Sequence, residues 1–438
     1  MMQSPRGTRD FLPAELEKRR HYETVLRDVA RRFGFGEIGT PIFEEAELFV
    51  ARSGPNVLKE LYSFRDKGDR EIALRPEMTA PVIRAFVNGM NSEPKPIKLF
   101  YFGQCFRYER PQSGRYREFF QFGAEIIGSA TPQTDAEAVA AASSMIRALG
   151  LKNYKLRIGH IGILRQRIAD IGVPGEKTAE VLQKLDKKLY DEVRPMLAEL
   201  GVKPEGVEAL FELTETVGGV EVLSKVPGEA GDYLGELTRI LGRMGVGEVE
   251  IDLGIVRGLD YYTGMVFEAE APALGAEKQI CGGGSYSLAE LFGGEKVFST
   301  GFAIGFDRIL LAMEEEGIAY EREGIDAYVI PVSDDVRDDA AEVVTEIRGA
   351  GLSADIDIMG RKMGKAMKYA DAVGARYAVF VGKQELGRGA VTVRDMKSGE
   401  QAEVPRDRIR EKLNGGMRTR GRVFQSEAFD SQGADGCR

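Results

Sequence analysis

Hydrophobic and polar residues alternate most regularly on either side of one basic loop. The alternation runs through residues 102–107 before the loop and through residues 120–127 after it. A period of two predicts β-strands, so the stretch 104–128 predicts two strands joined by a long loop. Because side chains on one face of a strand recur at every second residue, Gln121 and Glu125 share a face with Gly123 between them. We expect an open polar floor there, which suits a small polar ligand.

The loop between these strands is rich in arginine. It carries Arg107, Arg110, Arg115 and Arg117, offset by Glu109 and Glu118. Taken alone, such a loop is typical of a solvated charged hairpin. Several guanidinium groups in one short loop also suit bidentate recognition of phosphate. The amide and carboxylate on the neighbouring strand face favour the ligand interpretation.

The pattern before the hairpin predicts a helix over residues 15–33 and a strand over residues 38–43 that Pro41 interrupts. Proline inside a strand belongs at a sheet edge or at a chain contact, so this segment is either a subunit interface or an ordinary strand end.

Glu77 and Thr79 lie between a short strand, residues 71–74, and a helix that begins at Ala80. They can serve as a helix cap without any further function. Alternatively, a carboxylate beside a pocket suits an ammonium group.

After the hairpin, an alanine-rich helix over residues 135–149 and a strand over 155–159 are predicted. Residues 161–241 then show short helical segments broken by Gly and Pro, without strand alternation, which indicates an inserted helical module. Alternation returns at residues 249–255 and leads to Arg257. This arginine is either a surface charge at a strand end or a half-buried group that needs an anionic partner.

Two further segments carry candidate chemistry. The glycine-rich stretch 281–294 permits close approach of a ligand to the backbone, but it matches neither a P-loop nor a dinucleotide fingerprint. Residues 299–313 predict a strand that turns at Gly305 into a helix with Arg308 in its first turn. An arginine there opposes the helix dipole, so either a bound anion or a salt bridge with Asp307 or another acid must compensate.

From residue 326 onward, strands and helices alternate, which predicts a small α/β domain with a partly parallel sheet. Basic residues cluster around its second helix, namely Arg361, Lys362, Lys365, Lys368 and Arg376. This cluster is a candidate nucleic-acid patch. Residues 415–438 lack apolar periodicity and predict a disordered tail.

Composition restricts the possible functions further. No apolar run approaches the ~20 residues that span a bilayer, and the first residues lack a signal-peptide segment, so we expect a cytoplasmic protein without membrane contact. The scattered Cys105, Cys281 and Cys437, with His21 and His160, do not form a zinc-ligand pattern. A net charge of −9 is no signature of nucleic-acid binding, although local patches decide such binding.

Taken together, these segments resemble the histidyl-tRNA synthetase family of class II aminoacyl-tRNA synthetases. The resemblance covers nearly everything before the tail and rests on RGTRDFLP, LRPEMTA, FRYERPQSGRYREFFQFGAEIIG, VRGLDYYTG and GFAIGFDRIL. The segment VRGLDYYTG is particular to the histidyl family. One departure is the sequence Gly284, Ser285, Tyr286, Ser287, where the family commonly has Gly-Arg-Tyr-Asp.

The resemblance implies an α+β fold in which an antiparallel class II synthetase sheet has flanking helices. It implies catalytic parts at residues 1–160 and 242–322, a helical insertion at 161–241 and a C-terminal α/β anticodon-binding domain at 326–414, followed by the tail. The segment around Pro41 resembles the motif at the dimer interface of the class, which implies a homodimer.

The resemblance also implies roles for individual residues. Glu77 and Gln121 would hold the ammonium group of L-histidine, with Thr79 and Tyr261 nearby, and Glu125 and Tyr262 would bind its imidazole. Arg107 and Arg257 would be catalytic at the α-phosphate, while Arg115 and Arg308 would bind the outer phosphates of ATP, which Mg²⁺ accompanies. Gln112, Arg361, Lys362, Lys365 and Lys368 would contact tRNA(His).

Two other functions remain open at this point. The first is a catalytically inactive paralogue that senses histidine as the regulatory subunit of ATP phosphoribosyltransferase, a form that lacks the anticodon domain and commonly loses the catalytic arginine. The second is a regulatory module that senses uncharged tRNA, which would have lost Glu77, Arg107 or Arg308. This sequence keeps Arg257 and the domain after residue 326, and it also keeps Glu77, Arg107 and Arg308.

Overall fold

A computed structural model describes residues 2–53, 55–110, 114–255 and 262–414. The chain divides into two compact units, Met1–Tyr320 and Glu321–Arg438. The finer division of the first unit into catalytic parts and an insertion stays a prediction. Among the described residues, no helix is both long and apolar enough to cross a membrane.

The strands of the first unit are β1 Gly36–Glu37, β2 Phe43–Glu45, β3 Ser63–Arg65, β4 Glu71–Leu74, β5 Ile97–Phe106, β6 Glu118–Ile127, β7 Lys155–His160, β8 Val217–Gly218, β9 Val249–Asp252, β10 Tyr262–Glu270, β11 Gln279–Tyr286 and β12 Ser299–Gly305. Its helices are α1 Pro13–Arg32, α2 Ala46–Ser53, α3 Thr79–Gly89, α4 Pro132–Ala148, α5 Ile161–Asp170, α6 Gly175–Asp186, α7 Tyr190–Glu199, α8 Pro204–Thr214, α9 Glu229–Arg243 and α10 Phe306–Glu315.

In the described part of the first unit, one large sheet has the strand order β1-β5-β6-β12-β11-β10-β7-β9-β8. Its central pairs, from β5 to β7, are antiparallel, and parallel pairs occur at β1/β5 and β7/β9. A small antiparallel sheet with the order β2-β4-β3 accompanies it. The predicted α+β class with an antiparallel sheet and flanking helices is therefore confirmed.

Helices cover the two faces of the large sheet. On one face, apolar residues of α3 such as Val82 and Phe86 pack with Leu99, Tyr101 and Tyr286 of the strands. Helix α4 lies on the other face, where it packs against α1, α9 and β12. Its alanine-rich surface is buried, because small side chains let neighbouring helices and the sheet approach closely.

One local prediction was wrong. Residues 38–42 do not continue a strand, because proline cannot donate to a sheet ladder and the carbonyl groups of Thr40 and Pro41 accept hydrogen bonds from Arg75 instead. The glycines after Cys281 belong to β11, which pairs with both β10 and β12.

The second unit contains strands β13 Ala327–Pro331, β14 Ala354–Ile356, β15 Tyr377–Val381, β16 Ala390–Asp395 and β17 Gln401–Pro405, and helices α11 Arg337–Gly349, α12 Met363–Ala372, α13 Lys383–Leu386 and α14 Ile409–Asn414. Among its described residues the strand order is β14-β13-β15-β16-β17, parallel at β13/β14 and β13/β15 and antiparallel elsewhere. This is the partly parallel sheet that the alternation predicts. Residues 415–438, where a tail is predicted, lie outside the described residues.

Candidate functional site

The hairpin β5/β6 provides the floor of the candidate site, as its alternation predicts. The register pairs Gly103 with Gln121 and Leu99 with Glu125, so both polar side chains lie on the sheet face that packs against α3. The Oε1 atom of Gln121 accepts a hydrogen bond of 3.4 Å from the thiol of the buried Cys105. Burial raises the pKa of this thiol to about 12, so Cys105 stays a neutral donor.

The floor between these side chains is not open, contrary to the prediction. Tyr101 is paired with Gly123, and any Cβ at Gly123 would collide with the Tyr101 ring. The missing side chain therefore makes room for a tyrosine from the neighbouring strand and does not leave a cavity.

The carboxylate of Glu125 is buried and is hydrogen-bonded by three hydroxyl groups. Its Oε1 atom accepts from Thr79 and from Tyr101, both at 2.9 Å, and its Oε2 atom accepts from Tyr286 at 2.5 Å. Burial raises the pKa of Glu125 to about 7, although the three hydrogen bonds act in the opposite direction. A carboxylate has about four lone-pair sites, so Oε2 can accept one further donor.

Glu77 and Thr79 lie at the start of α3, and the structure assigns both of them protein partners. The Glu77 carboxylate accepts hydrogen bonds from the backbone N–H groups of Thr79 at 2.6 Å and of Ala80 at 3.2 Å. Glu77 therefore serves the start of the helix, as one of its two predicted interpretations states. Its role toward an ammonium group stays a prediction.

Tyr262 and Tyr286 are directly opposed across β10 and β11, next to the glycine-rich strand. A Cβ at Gly284 would stand 3.0 Å from the Tyr262 ring, so glycine is what lets this ring lie against the strand. Both tyrosines are buried, with 6% and 2% of their surface exposed.

Sequence reasoning missed Tyr101 and Tyr286 as partners of Glu125. Extending the hairpin register would have placed Tyr101 opposite Gly123, so a signal for it was present. Tyr286 is 161 positions from Glu125, and only the order of the strands in the sheet brings the two together.

A cavity of about 230 Å³ gathers the described arginines for which phosphate binding is predicted. Arg107, Arg115 and Arg308 line it together with Gln121. The structure therefore brings the hairpin loop, the start of β6 and the first turn of α10 to one place.

Backbone carbonyl groups orient two of these arginines. The Nε atom of Arg107 donates to the Pro76 carbonyl at 3.0 Å, and its guanidinium lies 5.0 Å from the centre of the Phe119 ring. The two terminal nitrogens of Arg107 make no hydrogen bond to a residue that the structure describes. Arg308 donates to the carbonyl groups of Gln279, at 2.9 Å, and of Gly114, at 3.4 Å.

Asp307 does not serve as the salt-bridge partner that was one explanation for Arg308. Its Oδ1 atom accepts from Arg9 at 2.5 Å and from Arg19 at 2.9 Å, while its Oδ2 atom accepts from the backbone N–H of Phe120 at 2.8 Å. Asp307 thus ties the N-terminal segment and α1 to the end of the hairpin.

Arg115 is the most exposed of the three arginines of the cavity. It lies 3.8 Å from the carboxylate of Glu109, and 45% of the Arg115 side chain is exposed. Arg257, Tyr261 and Gln112, for which catalytic, histidine-binding and tRNA-binding roles are predicted, lie outside the described residues.

In the second unit, one member of the predicted basic patch has a carboxylate partner. Arg361 forms a 2.7 Å ion pair with the buried Asp357, and its guanidinium lies 4.1 Å from the centre of the Tyr369 ring. Lys362, Lys365 and Lys368 are exposed. Arg361 therefore stabilises the loop before α12, and the three lysines form the surface charge.

Two further features of the molecule bear on the site. Across the described ranges, no group of three or more His, Cys, Asp and Glu side chains could hold a metal ion. A larger cavity of about 700 Å³ lies beside His160 and helices α5 and α9, and none of the described residues predicted to bind histidine or ATP lines it.

Comparison with protein families adds to this geometry. The family model described as histidyl-tRNA synthetase matches residues 7–309, and the one described as anticodon binding domain matches residues 326–415. The chain is 43% identical to a histidine–tRNA ligase of Archaeoglobus fulgidus over 413 residues, which cover 93% of this chain and 98% of the relative. It is 44% identical to that of Methanosarcina acetivorans over 416 residues, which cover 94% and 98%.

Among solved structures, the chain is similar to the apo histidyl-tRNA synthetase of S. aureus. The TM-score is 0.72 at 31% sequence identity, with 94% of this chain and 100% of that chain covered.

Proposed function

The chain belongs to the histidyl-tRNA synthetase family, and from this premise we propose how its residues carry out the ligation of histidine to tRNA. Its activity is that of a histidine–tRNA ligase, an aminoacyl-tRNA ligase that uses ATP as a substrate. One observation carries the proposal: Arg107, Arg115 and Arg308 line one cavity with Gln121, and the buried Glu125 lies on the same strand face as Gln121.

In the first step, the carboxylate of histidine attacks the α-phosphorus of ATP and pyrophosphate leaves. The nucleophile is already ionised, so no general base is needed, and catalysis requires positioning and charge stabilisation. Arg107 would act at the α-phosphate together with Arg257, and Arg115 and Arg308 would bind the outer phosphates. Mg²⁺ would arrive as MgATP, because this ion keeps water and phosphate oxygens as its main ligands.

The histidine pocket would lie on the α3 face of the hairpin. Glu77 and Gln121 would accept from the ammonium group, with Thr79 and Tyr261 nearby, and Glu125 and Tyr262 would bind the two imidazole nitrogens. The hydroxyl groups of Tyr101 and Tyr286 support this assignment, because they hold the Glu125 carboxylate in one position. A pocket that hydrogen-bonds both nitrogens discriminates against apolar isosteres, by up to about 10⁴-fold in comparable sites.

The proposal is tested by ATP–pyrophosphate exchange with the purified protein. We expect exchange that depends on L-histidine and is absent with L-phenylalanine, since an apolar ring leaves Glu125 and Tyr262 unpaired. Exchange at background level with histidine would contradict the assignment of these residues.

After activation, the histidyl group passes to the 3′ end of tRNA(His). The match of an anticodon-binding family model over residues 326–415 supports this partner, because the regulatory paralogue of ATP phosphoribosyltransferase was expected to lack this domain. The regulatory alternative is therefore not favoured. A cytoplasmic location stays a prediction.

Lys362, Lys365 and Lys368 would bind tRNA through phosphate groups. We expect their joint replacement by Glu to weaken tRNA binding by about tenfold or more, and to reduce the slope of log K against log salt by about 0.7 for each lost phosphate contact. Filter binding at several salt concentrations measures both quantities.

Lys383, Lys397 and Lys412 provide the matched control, since they are exposed lysines elsewhere in the second unit. Replacing these three by Glu gives the same change in net charge. Equal losses of affinity in both triple variants would mean that the patch acts through total charge alone.

A homodimer would form through the small sheet β2-β4-β3. Phe43 is opposed to Leu74 and Phe64 to Ile72, so these four side chains share one face. Phe43 and Phe64 expose 57% and 50% of their surface, and exposed aromatic side chains on one face of a small sheet form an apolar patch of the kind that marks interfaces.

We expect Phe64→Glu to shift the protein from dimer to monomer in sedimentation velocity, because a buried unpaired carboxylate opposes association. Phe298→Glu is the control, since Phe298 is also exposed, at 42%, but lies outside the small sheet. A dimer that persists in the Phe64 variant would place the interface elsewhere.

A further inference from the structure

A buried carboxylate lies on the sheet face opposite to the proposed histidine pocket. Asp135, in the first turn of α4, is fully buried. Its two oxygens accept from the Ser285 hydroxyl at 2.8 and 2.7 Å, and Oδ2 also accepts from the Tyr233 hydroxyl at 2.7 Å. Burial raises the pKa of Asp135, and these two hydrogen bonds act against that change.

The cluster joins three elements that are distant in sequence. Asp135 belongs to α4, Ser285 to β11 and Tyr233 to α9, within the predicted insertion. The Tyr233 ring also lies edge-on to His160, with 5.6 Å between the ring centroids. A movement of α9 relative to the sheet would therefore break or strain hydrogen bonds to a carboxylate that has no access to water.

Ser285 directly precedes Tyr286, the tyrosine that donates to Glu125. Successive side chains of a strand point to opposite faces, so Ser285 faces α4 while Tyr286 faces the pocket. On the β10 side the pairing is irregular here, because Tyr262 pairs with Tyr286 and Val266 with Gly284, which leaves three residues opposite Ser285. The β10 ladder therefore skips Ser285, and the β12 ladder, which pairs Ser285 with Thr300 and Tyr286 with Ser299, holds this part of β11 from one side only.

We propose that Ser285 and Asp135 are positioning residues for histidine binding: they anchor β11 to α4, which holds the Tyr286 hydroxyl against Glu125, and Tyr233 connects the same anchor to the insertion. The inference rests on the proposed function, because it takes Glu125 as a group that binds imidazole. Ser285 stands where the family commonly has arginine, so this anchor departs from the usual pattern of the family.

The first test is Ser285→Ala, with KM measured in ATP–pyrophosphate exchange. We expect the KM for histidine to rise about tenfold while the KM for ATP stays within about twofold, because the serine touches the histidine pocket only through Tyr286. Ser287→Ala is the matched control, since its hydroxyl donates to the Val297 carbonyl at 3.2 Å and not to Asp135. A histidine KM that is unchanged in Ser285→Ala, or equal rises in both variants, would overturn the proposal.

A double-mutant cycle separates positioning from a general loss of structure. In the Tyr286→Phe background the hydroxyl that Ser285 positions is gone, so Ser285→Ala should raise the histidine KM by less than about twofold more. Effects that multiply would show that Ser285 acts independently of Tyr286 and would refute the positioning role.

Tyr233→Phe repeats the test without a change in β11, and it decides the matter if Ser285→Ala does not fold. It removes one donor to Asp135 and should also raise the histidine KM. If Ser285→Ala folds and raises the KM, an unchanged KM in Tyr233→Phe would remove the insertion from the proposal; if Ser285→Ala does not fold, an unchanged KM would overturn the proposal. The pocket and the anchor are tested separately. If Glu125→Gln and Tyr286→Phe leave the histidine KM unchanged, the pocket itself is wrong; if they raise it and Ser285→Ala does not, only the anchor is wrong.

Discussion

We expect Arg107→Ala to lower kcat/KM for histidine-dependent ATP–pyrophosphate exchange by about 10²–10³-fold, which is the cost of removing one preorganised donor from a developing charge. Negative charge grows on the α-phosphate and on the leaving pyrophosphate in the transition state. The Pro76 carbonyl and the Phe119 ring already orient the Arg107 guanidinium, so little reorganisation is needed during the reaction. Histidine binding without ATP, measured by calorimetry, should change by less than about twofold.

Arg107→Lys and Arg110→Ala make this experiment specific. Lysine keeps the charge but loses the planar fork, so we expect it to recover only part of the rate. Arg110 is an exposed arginine of the same loop and does not line the cavity, so its replacement should leave the rate within about twofold. A loss below about tenfold in Arg107→Ala would argue against a role at the reacting phosphate.

The second large effect is expected for Glu125→Gln. Replacing the carboxylate by an amide should raise the KM for histidine by about 10- to 100-fold, since a hydrogen bond to a charged group contributes about 1.5–3 kcal/mol. The KM for ATP should stay within about twofold, because Glu125 does not line the arginine cavity. Glu118→Gln, the same substitution at the start of β6, is the control. Equal changes in the two KM values would remove Glu125 from the histidine pocket.

The same variant has an opposite expected effect on stability. Burial raises the pKa of Glu125 from its ordinary value of 4.5 to about 7, so the folded protein binds this proton more tightly than the unfolded chain does. The free energy of unfolding therefore falls as pH rises between these two pKa values. Glutamine carries no such proton, so its stability does not fall in this way. The difference in free energy of unfolding between the variant and the wild type should therefore shift in favour of the variant by about 2 kcal/mol as the pH rises from about 5 to about 8.

Urea unfolding at the two pH values measures this difference. A stability difference that is independent of pH would mean that Glu125 is not the group whose ionisation opposes folding. The combination of weaker histidine binding with a relative gain in stability at the higher pH would identify Glu125 as a residue whose ionised form serves function at a cost to the fold.

Much of the candidate site was predictable because its signals are local. The alternation around the basic loop predicted β5, β6 and the shared face of Gln121 and Glu125. Arg308 was predicted to bind an anion because its charge opposes the helix dipole, and the structure places it in the same cavity as Arg107 and Arg115. The exposed lysines of α12 follow from helical spacing alone.

Other features depend on which distant residues meet, and local patterns do not contain that information. Arg361 was predicted as part of a basic surface, yet it pairs with Asp357 of the preceding loop, which half-buries its charge. Asp307 was considered as a partner of its neighbour Arg308, yet its Oδ1 atom accepts from Arg9 and Arg19, which lie 298 and 288 positions away.

The sequence by itself determined the two-strand hairpin, its arginines and the strand face that carries Glu125, because a period of two fixes which side chains share a face. Only the tertiary structure decided how that carboxylate is held. Tyr101 and Tyr286 lie 24 and 161 positions from Glu125, and they reach it through strand pairing and strand order. A buried carboxylate must find its donors among whatever side chains the fold brings near, so its partners follow from packing rather than from the local pattern.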